Sequence, residues 1–239
     1  MIKGFRFVTR REDVTAEAFA AEWPGAVAAA MQAPPEVRPT RLAVCTVLPE
    51  SDPGPRHDGV EIGWFDDGPH LRRFRGWVGT SRGWSVLKGL DRVVDFDASP
   101  VVVAKETALR GADWLGHRWR DGGARFKHMA VAVRAEGLTP AEFAERWRAH
   151  AGQVRKPGSE AATAIPDTVR GLAYVQNHPV PRSGGEWAYD AVNEVYCDDA
   201  ESLRARIAWF RDEADGGADG ALFGRSWFLA VKEEIVPAP

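Results

Sequence analysis

Cysteine is scarce. Two residues, Cys45 and Cys197, are too few for a disulfide framework and form no CxxC pair, so they read as buried free thiols. No run of Lys and Arg occurs and the formal net charge is only −3, so the footprint of a nucleic-acid binder is missing. No stretch approaches the roughly 20 apolar residues that a bilayer span needs. The start, "MIKGFRFV", runs into charged residues without an apolar signal core, so the expectation is a cytoplasmic protein with no membrane partner. A Walker-type loop, a GxSxG elbow and an HExxH helix are absent as well, which leaves phosphoryl transfer, serine hydrolysis and the commonest zinc sites without support. His128, His150, His178 and Glu194 have the right atoms for a dispersed metal site, but their spacing carries little metal specificity, and no metal or cofactor is expected.

What is present is a core and a repeat. With 44% hydrophobic and 27% charged residues in 239, the chain can bury one large domain or two small ones. "FAERWRAHAGQV" at 143–154 has a partner in "FAAEWPGAVAAA" at 19–30, and an offset of 124 aligns residues 2–28 with 126–152 without a gap. Lys3/Lys127, Arg10/Arg134, Glu12/Glu136, Thr15/Thr139, Phe19/Phe143, Ala20/Ala144 and Trp23/Trp147 are identical pairs. Further on, "DGVEIGWFDD" lies over "DAVNEVYCDD", and "VVVAKETAL" over "FLAVKEEIV". Two tandem copies are therefore expected at 1–110 and 125–239, joined by a Gly-rich, charged linker at 111–124.

Each copy reads as strand, helix, two strands, helix, strand. "IKGFRFV" and "FKHMAVAV" suit a first strand. Thr15 and Thr139 can cap the helix that follows, Pro140 suits its first position, and Phe19/Trp23 or Phe143/Trp147 stand four apart on one face. The expected fold class is α+β, two tandem ferredoxin-like βαββαβ repeats with facing sheets. The sequence resembles tandem EthD-type domains of the dimeric α+β barrel superfamily. The likeness rests on "LTPAEFAERWRAHAGQV", "YVQNH" and a Glu-x-aromatic strand before "DD" in the second copy, and on "VTAEAFAAEW", "GWFDD" and "LDRVVDFD" in the first. The resemblance implies an internal pseudo-dimeric barrel within one chain.

The copies differ where chemistry would sit. The second reads Trp147-Arg148-Ala149-His150, matching a Trp-x-x-His pattern of that family, whereas the first has Trp23-Pro24-Gly25-Ala26, with Pro24 expected to distort the helix. Glu194 stands over Ile62, and Tyr174, Gln176 and His178 over Val44, Thr46 and Leu48, so one chemical site is expected, in the second copy. Tyr174, Gln176 and His178 share one face of their strand, as do Val192, Glu194 and Tyr196 on the next. Both stripes are expected to line a shared cavity, with His128 and Arg6 contributing from the first strand of each copy.

Blander roles stay open for each candidate. His150 could pack a helix, Glu194 could pair with an arginine such as Arg134, His178 could end a strand before Pro179, and His128 could face solvent. Most of the ten tryptophans should fill the core, and some of the rest could line the mouth of a pocket for a flat ligand. The resemblance implies a cofactor-free enzyme acting on a hydrophobic aromatic or polyketide-like small molecule, of cyclase, dehydratase, isomerase or decarboxylase type. His150 and Glu194 would be its acid/base pair, and Tyr174, Gln176, His178, His128, Tyr196 and Arg6 its binding residues. The alternatives are a non-catalytic small-molecule-binding or stress-response protein, and a cofactor-free monooxygenase. Self-association as a homo-oligomer is left open.

Overall fold

The computed structural model describes residues 1–51, 57–121, 124–149, 153–155, 162–212 and 220–238. The first unit comprises Met1–Val47, Pro55–Lys105 and Glu233–Pro239. It carries β1 (Ile2–Arg10), α1 (Ala16–Ala28), β2 (Arg41–Val47), β3 (Gly59–Phe65), α2 (Gly68–Val78), α3 (Ser81–Leu87), β4 (Val94–Asp95) and the start of β5 (Val101–Arg110). The second unit comprises Leu48–Gly54 and Glu106–Lys232. Its elements are α4 (Ala112–Asp121), β6 (Ala124–Arg134), α5 (Pro140–Ala149), β7 (Gln153–Arg155), β8 (Ala162–Ala164), β9 (Ala173–Pro179), β10 (Ala191–Cys197), α6 (Ala200–Asp212) and most of β11 (Phe223–Val236).

In the first unit β1 is central, paired antiparallel with β3 (Phe5 opposite Ile62) and with β5 (Phe5 opposite Val102). In the second unit β10 is central, with Glu194 opposite Met129 of β6 and Val175 of β9. Among the described residues the short β7 and β8 pair with each other in a separate two-stranded sheet.

The strand order corrects the expected fold class. The strands run β3-β2-β11-β6-β10-β9-β5-β1-β4 in one sheet, and β3 also pairs with β1. Among the described residues the pairing is that of a closed eight-strand antiparallel β-barrel with six helices, not of two tandem ferredoxin-like repeats with facing sheets. The cause is the length of the last strands. β5 uses Val101–Ala104 to pair with β1, and its remaining backbone groups, which must find partners of their own, continue into the second unit beside β9. β11 has 14 residues, and its last part belongs to the first unit beside β2.

Local signals fold as their chemistry dictates. The Thr15 hydroxyl accepts from the Ala18 amide at 3.2 Å. Thr139 and Glu142 form a reciprocal capping box, with Glu142 N donating to Thr139 Oγ1 at 3.2 Å and Thr139 N to Glu142 Oε2 at 2.9 Å. Pro24 does not end its helix: α1 runs on to Ala28, because Phe19, Trp23 and Val27 bury along one face and outweigh the lost hydrogen bond. The stretch expected as a linker, 111–124, contains α4. It enters through Gly111 at φ 71°, where a Cβ would fall 2.4 Å from the Leu172 carbonyl oxygen.

Gly59 seats the Trp23 ring. A Cβ there would lie 2.4, 2.5 and 2.9 Å from three ring carbons of a tryptophan that is fully buried. Gly59→Ala should therefore destabilise the protein by about 1–3 kcal/mol, as overpacking does. Urea unfolding with an unchanged m-value checks it, and wild-type stability would show that Trp23 can move aside.

Candidate functional site

The registers around β10 divide the sequence candidates between two faces. Cross-strand partners point the same way, so Lys127, Glu194, Tyr196 and Asn177 share one face of the second unit's sheet. His128, Asn193, Tyr174, Gln176 and His178 share the other. The single cavity expected for both stripes is thus replaced by two separate clusters.

The first cluster is a buried ionic knot. Lys127 Nζ meets Glu194 Oε2 at 2.8 Å, with both side chains fully buried. Asn177 Nδ2 donates to Glu194 Oε1 at 3.0 Å and Tyr196 Oη donates to Oε2 at 3.2 Å. Arg118 of α4 closes the group, donating to Tyr196 Oη at 3.0 Å, while Trp114 and Leu115 pack over Ala173, Val175 and Tyr196. Arg134 is not the partner of Glu194; it pairs with Glu186 and Asp190. A carboxylate holding an ammonium, an amide and a phenol is committed to binding them, which suits a structural charge better than a proton carrier.

The second cluster has the features of a site. Gln176 Nε2 donates to the Trp147 carbonyl at 3.1 Å and to Tyr174 Oη at 3.3 Å, and Tyr174 in turn donates to Asn193 Oδ1 at 3.4 Å. Trp147 lies in the last turn of α5, where carbonyls lack partners within the helix, so the amide of Gln176 completes that helix end. These two donations fix the orientation of the amide. Its Oε1 then faces His178 Nε2 at 3.2 Å, which must carry the proton. The lone pair is left on Nδ1, which is buried without a hydrogen-bond partner among the described residues. The imidazole rests against Trp147, with ring centroids 4.6 Å apart. Burial, and then the charge of Arg148, lower the His178 pKa, so the ring is neutral at pH 7. Burial raises the Tyr174 phenol above 10 against the pull of Gln176, Arg206, Asn193 and Arg110, which keeps it a hydrogen donor.

His128 lies on this face too, with its Nδ1 accepting from Arg206 Nε at 2.9 Å. It is buried between Phe210 and Phe228 rather than facing solvent, and burial holds its pKa well below 6.5. Arg6 belongs to the first unit, in an ion pair with Glu61 at 3.5 Å. His150 lies outside the described residues. Val44 and Ile62, which stand over Tyr174 and Glu194 in the repeat, are apolar core.

Lys127, Asn177, Arg118, Asn193 and Arg206 were missed by sequence reasoning. Lys127 carried a signal, as one of the identities shared with the first copy. The metal candidates do not converge: His128 and His178 lie on one face and Glu194 on the other. Among the described residues no three His, Cys, Asp or Glu side chains gather as a metal site, and no helix is long and apolar enough to cross a membrane.

No family model matches the chain, and no curated protein matches it. It is similar to the solved structure of a proposed monooxygenase from Lactobacillus acidophilus NCFM, at 10% identity and a TM-score of 0.49, over 99% of this chain and 96% of that one.

Two outcomes follow from this geometry. Glu194→Gln keeps the shape but removes the charge facing Lys127, so the fold should lose about 3–5 kcal/mol, as when a buried pair is broken. Chemical denaturation measures it, and wild-type stability would return Glu194 to the acid/base candidates. Second, His57 in the first unit is pushed by burial down to about 4, and His128 well below 6.5. Between pH 6.5 and 4 the unfolded chain takes up protons that these folded-state groups refuse. Stability should therefore be full above pH 6.5 and fall with acid, by up to about 1.4 kcal/mol per pH unit for each histidine. His57→Gln should flatten the slope in a pH series of melting curves.

Proposed function

We propose that this protein is an enzyme that moves a proton on a hydrophobic aromatic or polyketide-like small molecule, using the β9 face of its second unit. The observation that carries the reading is the state of His178: a neutral imidazole fixed through Gln176, with its free Nδ1 lone pair turned into a buried setting. Such a group is a general base at neutral pH. Tyr174, four residues away on the same face, has a neutral O–H that can turn from Asn193 to an oxygen that gains charge when the proton leaves.

The step is abstraction of a proton from a phenol or an enolisable carbon, giving a phenolate or enolate. That anion is common to cyclisation, dehydration, isomerisation and decarboxylation, and to cofactor-free oxygenation of an electron-rich phenol. The resemblance of the second half to EthD-type sequences supports this substrate class. His150, which lies outside the described residues, stays a candidate for returning the proton on the strength of the sequence alone. A non-catalytic carrier is the competing reading, and it differs in what it needs from His178.

His178→Gln should lower turnover of hydroxylated aromatic polyketides by about 10²–10⁴-fold while leaving their Kd within a few fold. Wild-type activity should rise with pH through a pKa below 6.5 and level off near neutrality, and Tyr174→Phe should lower kcat more than it raises KM. Steady-state kinetics across a substrate panel make the test. Turnover that survives His178→Gln undiminished would remove the base, and ligand binding with no turnover in the wild type would favour the carrier.

A further inference from the structure

Arg206 is a buried cation whose described contacts include no carboxylate. It stands on α6 with 5% of its surface exposed. Its Nε donates to His128, one Nη donates to the Val169 carbonyl at 2.6 Å, and its plane lies 4.7 Å over the Phe210 ring. A guanidinium has five N–H donors, so these bonds leave several for another acceptor. The titratable groups acting on it are the Cys197 thiol and Tyr174 phenol, both neutral at pH 7, and a second cation, Arg110. Arg110 is itself bound to carbonyls, those of Arg170 and Gly171. Burial pushes Arg206 down to about 10, still charged at neutral pH.

Two other cations of the same unit are paired with carboxylates. Lys127 has Glu194, and Arg134 has Asp190 and Glu186. A buried charge is ordinarily paired because desolvation is costly. The repeat adds an independent observation: the offset of 132 that lays "DAVNEVYCDD" over "DGVEIGWFDD" continues without a gap and sets Arg206 over Phe74. Phe74 is a buried ring packed against Phe65 and Trp77. The position therefore accepts an apolar side chain in one copy, and the fold itself does not require a charge there.

The register places this cation at the site. Val195 is opposite His128 on one side and Tyr174 on the other, so the His128–Arg206 pair and the Tyr174–Gln176–His178 chain occupy one face of three adjacent strands. We propose that Arg206 binds an anionic oxygen of the substrate, a carboxylate or acidic phenol carried by the aromatic skeleton, on the α6 side of Tyr174. His178 works from the other side of that tyrosine. This inference rests on the reading of the β9 face as the reaction site, and it narrows the substrate to an aromatic acid or acidic phenol.

The test uses the full chain and two probes of matched skeleton, 1-hydroxy-2-naphthoate and neutral 1-naphthol, titrated by calorimetry at pH 7. The wild type should bind the acid at least about tenfold more tightly, a preference worth about 1.4 kcal/mol. Equal affinities would overturn the proposal without any variant. Arg206→Gln should bring the two affinities together while naphthol binding persists, and Arg206→Lys, which keeps the charge but not the fork, should keep part of the preference. A preference unchanged in either folded variant would also overturn it. His178→Gln separates this claim from the catalytic one, since it should keep the acid preference while losing turnover. Turnover lost in His178→Gln beside an intact preference in Arg206→Gln would sink the Arg206 assignment alone. Turnover intact in His178→Gln beside a lost preference in Arg206→Gln would sink the base alone.

Discussion

The antiparallel register that sets Glu194 between Met129 and Val175 decides which side chains of the second unit can meet. Because strand side chains alternate with a period of two, a slip of one residue would carry every polar group to the opposite face. As registered, the acidic group goes to the face of α4 with Lys127, Asn177 and Tyr196. The imidazole and amide go to the face of α5 and α6. Glu194 and His178, expected from the sequence to line one cavity, are separated by the thickness of a sheet. The chemistry proposed for the face of α5 and α6 therefore rests on His178, Tyr174 and their neighbours, without Glu194.

The two faces also differ in how charge is balanced. Around Glu194 the carboxylate meets the Lys127 ammonium within hydrogen-bonding distance, and the phenol of Tyr196 lies between the carboxylate and Arg118. Such a group gains little from a further ligand, because its desolvation is already offset. On the other face the described groups near Tyr174 are donors, cations and neutral rings, with no carboxylate in contact with Arg206. An oxygen that becomes anionic there would meet a field already set up for it, without reorganising water.

Much of the local structure was legible before any coordinates. Thr15, Thr139 and Pro140 announced helix starts because capping is a short-range bond between a hydroxyl and an amide three residues on. Alternation placed Tyr174, Gln176 and His178 together because it is a property of one strand. It could not give the phase of that strand against β10, which depends on pairing between residues far apart in the chain, so Glu194 was grouped with the wrong partners. Strand exchange escaped for a related reason. The motifs "VVVAKE" and "FLAVKE" marked last strands, but what β5 and β11 pair with beyond their first residues is set by which backbone groups remain unsatisfied. Lys127 was visible only as a repeat identity, and Arg206 only once its counterpart Phe74 and its surroundings were known.

Trp147 joins stability to chemistry. Its ring packs in the cluster of Ala132, Phe143, Ala191 and Leu222, and also forms the surface on which the His178 imidazole rests. Its carbonyl, left over by the end of α5, orients the Gln176 amide, and that amide assigns the His178 proton to Nε2. Reversing the amide would set its oxygen against the Trp147 carbonyl and its N–H donors against a ring nitrogen, costing acceptor–acceptor repulsion at one end. The tautomer of His178 is thus fixed by a helix terminus, through one side chain. The residue before a proline is confined to extended backbone, so Pro179 further restricts where the imidazole can stand. In the first copy the positions of Gln176 and His178 are Thr46 and Leu48, so both the amide and the titratable ring are missing there. A tryptophan of the same helix position, Trp23, is then free to serve packing alone, with its ring closed over Gly59.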